Sequence, residues 1–106
     1  MIIVTDRVTT TAVGIGKGIE LLTKMMEMLT KSGVMKNPWR IIRPHTGGRD
    51  VTVIATSRFA SMAEYEEFDH KRMADPGYKK MVSEVRGTDW FLGNERTIYD
   101  VLQESK

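Results

Sequence analysis

From Arg58 to Val85 the chain reads RFASMAEYEEFDHKRMADPGYKKMVSEV, and two helix starts are written into it. Ser61 followed by Glu64 is a capping box: the hydroxyl accepts an orphan amide proton while the carboxylate reaches back. Asp75-Pro76 is a second start, a cap side chain followed by a ring that presets φ. A strand therefore ends near Arg58, a helix starts at Ser61, and a second helical piece starts at Asp75. In that piece Tyr78, Met81, Val82 and Val85 follow the i, i+3, i+4, i+7 spacing of one apolar face. Gly87 stops it.

Working outward, Ile2–Thr10 and Val51–Arg58 are rich in β-branched residues and read as strands. Trp39–Arg43 is a third strand, joined to Val51 by a turn over Pro44–Asp50 that contains Gly47-Gly48. Lys17–Lys31 reads as a helix. Ile19, Leu22, Met26 and Leu29, widened by Met25, make its apolar stripe. Glu20–Lys24 and Glu27–Lys31 stand opposite in the favourable i, i+4 order, and Ser32-Gly33 ends the helix. Thr88–Leu102 is a last extended region. The order is β-α-β-β-α-β. This predicts an α+β, ferredoxin-like fold with a four-stranded antiparallel sheet, formed by residues 1–106 as a single domain.

Alternation sorts the strand residues onto two faces. Ile2, Val4, Asp6, Val8, Trp39, Ile41, Arg43, Val51, Val53, Ala55 and Ser57 form the more apolar set, with Trp90, Leu92, Asn94, Arg96 and Ile98 from the last strand. This set belongs under the helices. The other face mixes threonines with Ile3, Ile42, Ile54, Phe91 and Tyr99. It is either a partly apolar face left to solvent or a surface on which the sheet of a second copy packs, making an isologous homodimer.

Composition removes several classes of function. Sixteen basic and fourteen acidic residues leave a net charge of +2, too balanced to argue for nucleic acid. Ile2–Thr10 and Val51–Arg58 also lack the stacking aromatics of an RNA-recognition sheet. There is no cysteine, so a disulfide framework and a thiolate metal site are excluded. No apolar run approaches the roughly 20 residues of a membrane span. Met1–Thr11 has no signal-peptide apolar block, so a cytoplasmic location is expected.

The chemistry-bearing residues each admit two readings. Asp6, mid-strand between Val4 and Val8, is either a desolvated general base or half of an ion pair with Arg43 or Arg96. Arg43 and Arg58, with His45, either grip an anionic ligand or belong to a solvated basic hairpin that also carries Arg40 and Arg49. Trp39 and Trp90 either wall a pocket for a flat ligand or pack in the core. Met26 and its neighbours offer an adaptable pocket wall or plain core. His70 with Glu66 and Asp69 falls short of a zinc set and reads as a solvated helix face. Gly14-Ile15-Gly16-Lys17-Gly18 has neither dinucleotide nor Walker spacing. It reads as a flexible loop able to act as a lid.

The segment from Phe59 to Val85 resembles the second-helix region of NIPSNAP-like members of the dimeric α+β barrel superfamily. Phe59, Ser61, Ala63 to Tyr65, and Ala74 to Tyr78 carry the match, over about a quarter of the chain. The resemblance implies two sheets packed back to back in a dimer, with a pocket between helices and sheet in each protomer. Relatives include cofactor-independent monooxygenases acting on polyketide-type aromatics, cyclases, isomerases and haem-degrading enzymes. The Asn-Trp-His set of the last group has no counterpart here, since Asp6-Arg7 and Met81 stand where Asn and His would be expected. The expectation is a protein that binds a small aromatic or anionic compound and needs no cofactor or metal. Its chemistry would be oxygenation, cyclisation or isomerisation, with Asp6 as base and Trp39, Arg43, Trp90, Met26 and Arg58 around the substrate. The alternative is a non-catalytic dimeric binding domain of NIPSNAP-like type.

Overall fold

The computed structural model describes residues 1–45, 47 and 51–105. The expected Gly47-Gly48 turn and Arg49 lie in part outside these residues. The elements are β1 (Ile2–Thr10), α1 (Ile15–Lys31), β2 (Trp39–Ile42), β3 (Thr52–Phe59), α2 (Met62–Ala74), α3 (Pro76–Val85) and β4 (Phe91–Asp100). The strands form one antiparallel sheet in the order β2-β3-β1-β4, so the fold is the expected ferredoxin-like α+β arrangement.

The helix starts follow the local chemistry. Ser61 Oγ accepts from the Glu64 N–H at 3.2 Å. The returning Glu64 carboxylate accepts from the Ala60 N–H at 3.2 Å, one residue earlier than an ideal capping box. Asp75 Oδ1 accepts from the Tyr78 N–H at 2.9 Å, with Pro76 in the first turn. Gly33, at φ +84°, closes α1, a backbone angle that side chains with a Cβ avoid.

The glycine loop is a correction. α1 begins at Ile15, two residues before the expected start, with Gly14 as N-cap. Gly16 and Gly18 are thus helical rather than parts of a mobile lid. A Cβ on Gly18 would stand 2.9 Å from Thr10 Cγ2 and 3.2 Å from Val53 Cγ1. The glycine lets the first turn of α1 lie directly on the sheet.

The core lies between one face of the sheet and the helices. Ile2, Val4 and Val8 of β1 and Val53 and Ala55 of β3 are buried against Leu22, Met26 and Leu29 of α1. Each of these side chains except the smaller Ala55 contributes about 1.5–3 kcal/mol of burial. Phe59 sits 5.3 Å, ring centre to ring centre, from both Tyr65 and Phe68, which fastens α2 to the end of β3. The opposite face, with Ile3, Ile42, Ile54 and Tyr99, carries no helix among the described residues.

On β4 the expected alternation breaks. The register shifts between Thr9 and Thr10, so that Thr9 faces Gly93 while Thr10 faces Phe91. Leu92 is the extra residue of this bulge. Phe91 therefore packs toward the core and Leu92 is 62% exposed, the reverse of simple alternation. Asn94, Arg96 and Ile98, opposite Val8, Asp6 and Val4, keep the helix side.

Candidate functional site

A cavity of about 350 Å³ lies between the sheet, α1 and α3. Its apolar wall comes from Leu22, Met25 and Met26 on α1, Tyr78 and Val82 on α3, and Phe91. Asp6, Arg72 and Arg96 also line it. The α1 stripe and the i, i+4 pair Tyr78 and Val82 put these apolar side chains on facing helix surfaces.

The charges are a connected set. Arg96 Nε donates to Asp6 Oδ1 at 2.6 Å, and Arg72 Nη1 lies 3.7 Å from Asp6 Oδ2. Both guanidiniums also reach Asp69 Oδ1, Arg72 through a short contact and Arg96 at 3.4 Å. Arg72 is only 4% exposed. Its guanidinium carbon lies 5.0 Å from the Phe68 ring centre and 5.5 Å from that of Tyr78, cation–π contacts that partly offset desolvation. Arg72 Nη2 donates to the Tyr65 hydroxyl at 3.4 Å, whereas its Nε is buried with no partner among the described residues. For Arg96, burial disfavours the cation, but the charge and hydrogen bond of Asp6, with Tyr65 and Asp69 behind them, outweigh it and raise the pKa further.

The structure brings together some expected residues and separates others. Asp6 and Met26 line the cavity. Asp6 is not a lone carboxylate: of its two expected partners it takes Arg96, while Arg43 is exposed beyond the end of β2. Arg43 and His45 border a different depression with Pro44 and Val51. Arg58 points to the far face and pairs with Glu104. Trp39 packs at the rim of the core and donates its indole N–H to Thr30 Oγ1 at 2.9 Å. Trp90 precedes β4, covers Gly14, and sits beside Leu21 and Met81 outside the cavity. The aromatic walls are Tyr78 and Phe91 instead. His70 is exposed, and Asp69 turns to the arginines rather than to it.

Arg72 is the residue that sequence reading missed. Tyr65, Phe68 and Arg72 fall at i, i+3 and i+7 of α2, so the arginine shares the face of two buried aromatics. That spacing was visible in the sequence and marks a buried cation. No group of metal-ligating side chains occurs among the described residues. No described helix is long and apolar enough to cross a membrane.

No family model matches the chain, and no curated protein matches it. Solved structures do. A NIPSNAP domain protein from Burkholderia xenovorans superposes with a TM-score of 0.77 at 10% identity, over 100% of this chain and 99% of the other. A NIPSNAP family protein of unknown function from Agrobacterium tumefaciens gives 0.70 at 16% identity, over 93% and 86%. SnoaB, a cofactor-independent oxygenase from Streptomyces nogalater, gives 0.64 at 10% identity, over 97% and 94%. The chain thus shares the ferredoxin-like fold of NIPSNAP and antibiotic biosynthesis monooxygenase-like proteins. At these identities the likeness is one of fold.

Proposed function

We propose that this protein binds a small, partly aromatic, anionic compound between its helices and its sheet. On this reading it acts on the compound without a metal or bound cofactor, by oxygenation, cyclisation or isomerisation. The observation that carries the reading is the cavity of about 350 Å³ that reaches Asp6 along a mainly apolar wall, a size within the range of small-molecule sites. A fold shared with a cofactor-independent oxygenase supports it. Asp6 Oδ1 is committed to Arg96, so Oδ2 is the atom that would take a substrate proton. Arg96 and Arg72 would face the anion left behind. Met26 shapes the wall, whereas Trp39, Arg43, Trp90 and Arg58 drop out of the substrate site.

The second reading is a non-catalytic dimeric binding domain, and the pairing of Asp6 favours it, because a carboxylate engaged by two guanidiniums already has the partners of a structural ion-pair network. Both readings include a homodimer formed through the sheet face of Ile3, Ile42, Ile54 and Tyr99. The test is solvent extraction of the purified protein and mass spectrometry of what it carries, followed by incubation of the identified compound with wild type and Asp6→Asn. Product from the wild type alone supports the catalytic reading. A bound compound left unchanged by both supports the binding domain. An empty protein that also ignores a panel of aromatic acids sinks both.

A further inference from the structure

Two exposed side chains on the cavity side of β4 have hydrogen-bonding capacity that no described residue uses. Arg96 spends Nε on Asp6 and Nη1 on Asp69. Among the described residues its Nη2 has no partner. Asn94 stands two residues away on the same face, opposite Val8, and its carboxamide makes no hydrogen bond among the described residues. Both residues line the cavity. Two residues of strand separate them by roughly 6.5 Å. The same cavity is lined by Leu22, Met25 and Met26 of α1 and by Phe91 of β4 itself, and methionine sulfur favours contact with aromatic rings.

Arg96 is preorganised for an anion. Asp6 and Asp69 fix its planar head from two sides, so little side-chain entropy is lost when a further acceptor docks. Asn94 differs in kind, since a carboxamide both donates and accepts and suits a neutral carbonyl or hydroxyl oxygen.

We propose that Arg96 and Asn94 are a two-point recognition strip selecting a flat aromatic compound with an anionic oxygen at one end and a neutral oxygen at the other. Arg96 takes the anionic end and Asn94 the neutral end, with the ring body against the methionines. This rests on the small-molecule reading above and makes the substrate class narrower than that reading does.

The probes are 6-hydroxy-2-naphthoate, which has both oxygen functions, 2-naphthoate, which lacks the hydroxyl, and 2-naphthol, which lacks the carboxylate. Binding to the full chain is measured by calorimetry. Wild type is expected to prefer the hydroxy acid over either single-function probe by about tenfold. Asn94→Ala is expected to weaken the hydroxy acid to the level of 2-naphthoate and leave 2-naphthoate unchanged. The Asn94 side chain bonds to no described residue and its strand pairing with Val8 is kept, so this variant keeps its fold. The double variant Asp6→Asn/Arg96→Gln, which removes the pair as a neutral unit, is expected to weaken both acids by about tenfold or more and spare 2-naphthol. If all three probes bind, are displaced by Met26→Trp, and yet respond alike to both variants, the two-point strip is wrong while the cavity reading stands. If none binds the wild type, the strip is wrong, and the extraction experiment above then decides the small-molecule reading separately.

Discussion

Asp6 and Arg96 stand directly opposite each other on β1 and β4, and the guanidinium Nε donates to the carboxylate at 2.6 Å. Ninety residues separate them in the chain. The pair ties the first strand to the last on the side of the sheet that faces the cavity. It also decides how the cavity presents charge, because the Asp6 carboxylate orients the arginine that would meet a ligand.

That pair is partly exposed, 25% for Asp6 and 33% for Arg96, so its coupling is modest. A double-mutant cycle of Asp6→Ala and Arg96→Ala in urea is expected to give about 1 kcal/mol of interaction. The raised Arg96 pKa sets the pH behaviour. A cation whose folded pKa lies above its unfolded value contributes fully below the unfolded value, which for arginine is far above neutral pH. The contribution fades only as the pH rises through the higher folded value. The stability gap between wild type and Arg96→Ala is therefore expected to stay flat from about pH 7 to about pH 10. A gap that closes over that interval would contradict the assignment.

Arg72 is expected to be the most sensitive charge in the molecule. Arg72→Ala strips two carboxylates of a partner and empties the space between Phe68 and Tyr78. The expected loss is about 3 kcal/mol. Arg72→Lys is not expected to rescue it, because an ammonium cannot lie flat between rings and reach Asp6 and Asp69 together. Equal stability of Arg72→Lys and wild type by chemical denaturation would refute this account.

Two glycines on α1 are expected to answer the same substitution with opposite signs. Gly16 has open space where a Cβ would go, so Gly16→Ala gains about 1 kcal/mol from helix propensity. Gly18→Ala meets Thr10 and Val53 at 2.9 and 3.2 Å. Overpacking of about 1–3 kcal/mol then outweighs the same gain. Thermal melts of the two variants check the sign, and a stabilised Gly18→Ala would mean that α1 does not lie so close to the sheet.

The uncovered sheet face carries the homodimer proposal. Ile54 lies opposite Ile42 on β2 and Arg7 on β1, at the middle of that face. Sedimentation is expected to give the mass of two chains for wild type and of one chain for Ile54→Lys, since a charge buried between two sheets has no partner. A wild-type monomer at micromolar concentration would defeat the proposal directly.

Much of the fold was legible because its signals are local. The caps at Ser61 and Asp75, the stripe of α1 and the alternation of β1 and β3 each involve residues within a turn or two of one another. Local signals also misled. Alternation assigned Leu92 to the core and Phe91 to the open face, because a bulge is decided by how β4 meets Thr9 and Thr10 of another strand. Gly18 read as part of a loop, because what requires it is the close packing of α1 on Thr10 of β1 and Val53 of β3.

The sequence by itself determined the element order, the cap chemistry and the apolar faces, since backbone geometry and hydrogen-bond reach link neighbours along the chain. Only the tertiary structure decided that Asp6 meets Arg96 rather than Arg43, that Arg72 is buried between Phe68 and Tyr78, and that Tyr78 and Phe91 replace Trp39 and Trp90 at the cavity. Charge and aromatic contacts act across space, so strand register and helix packing select among partners whose residue types look equivalent in the sequence.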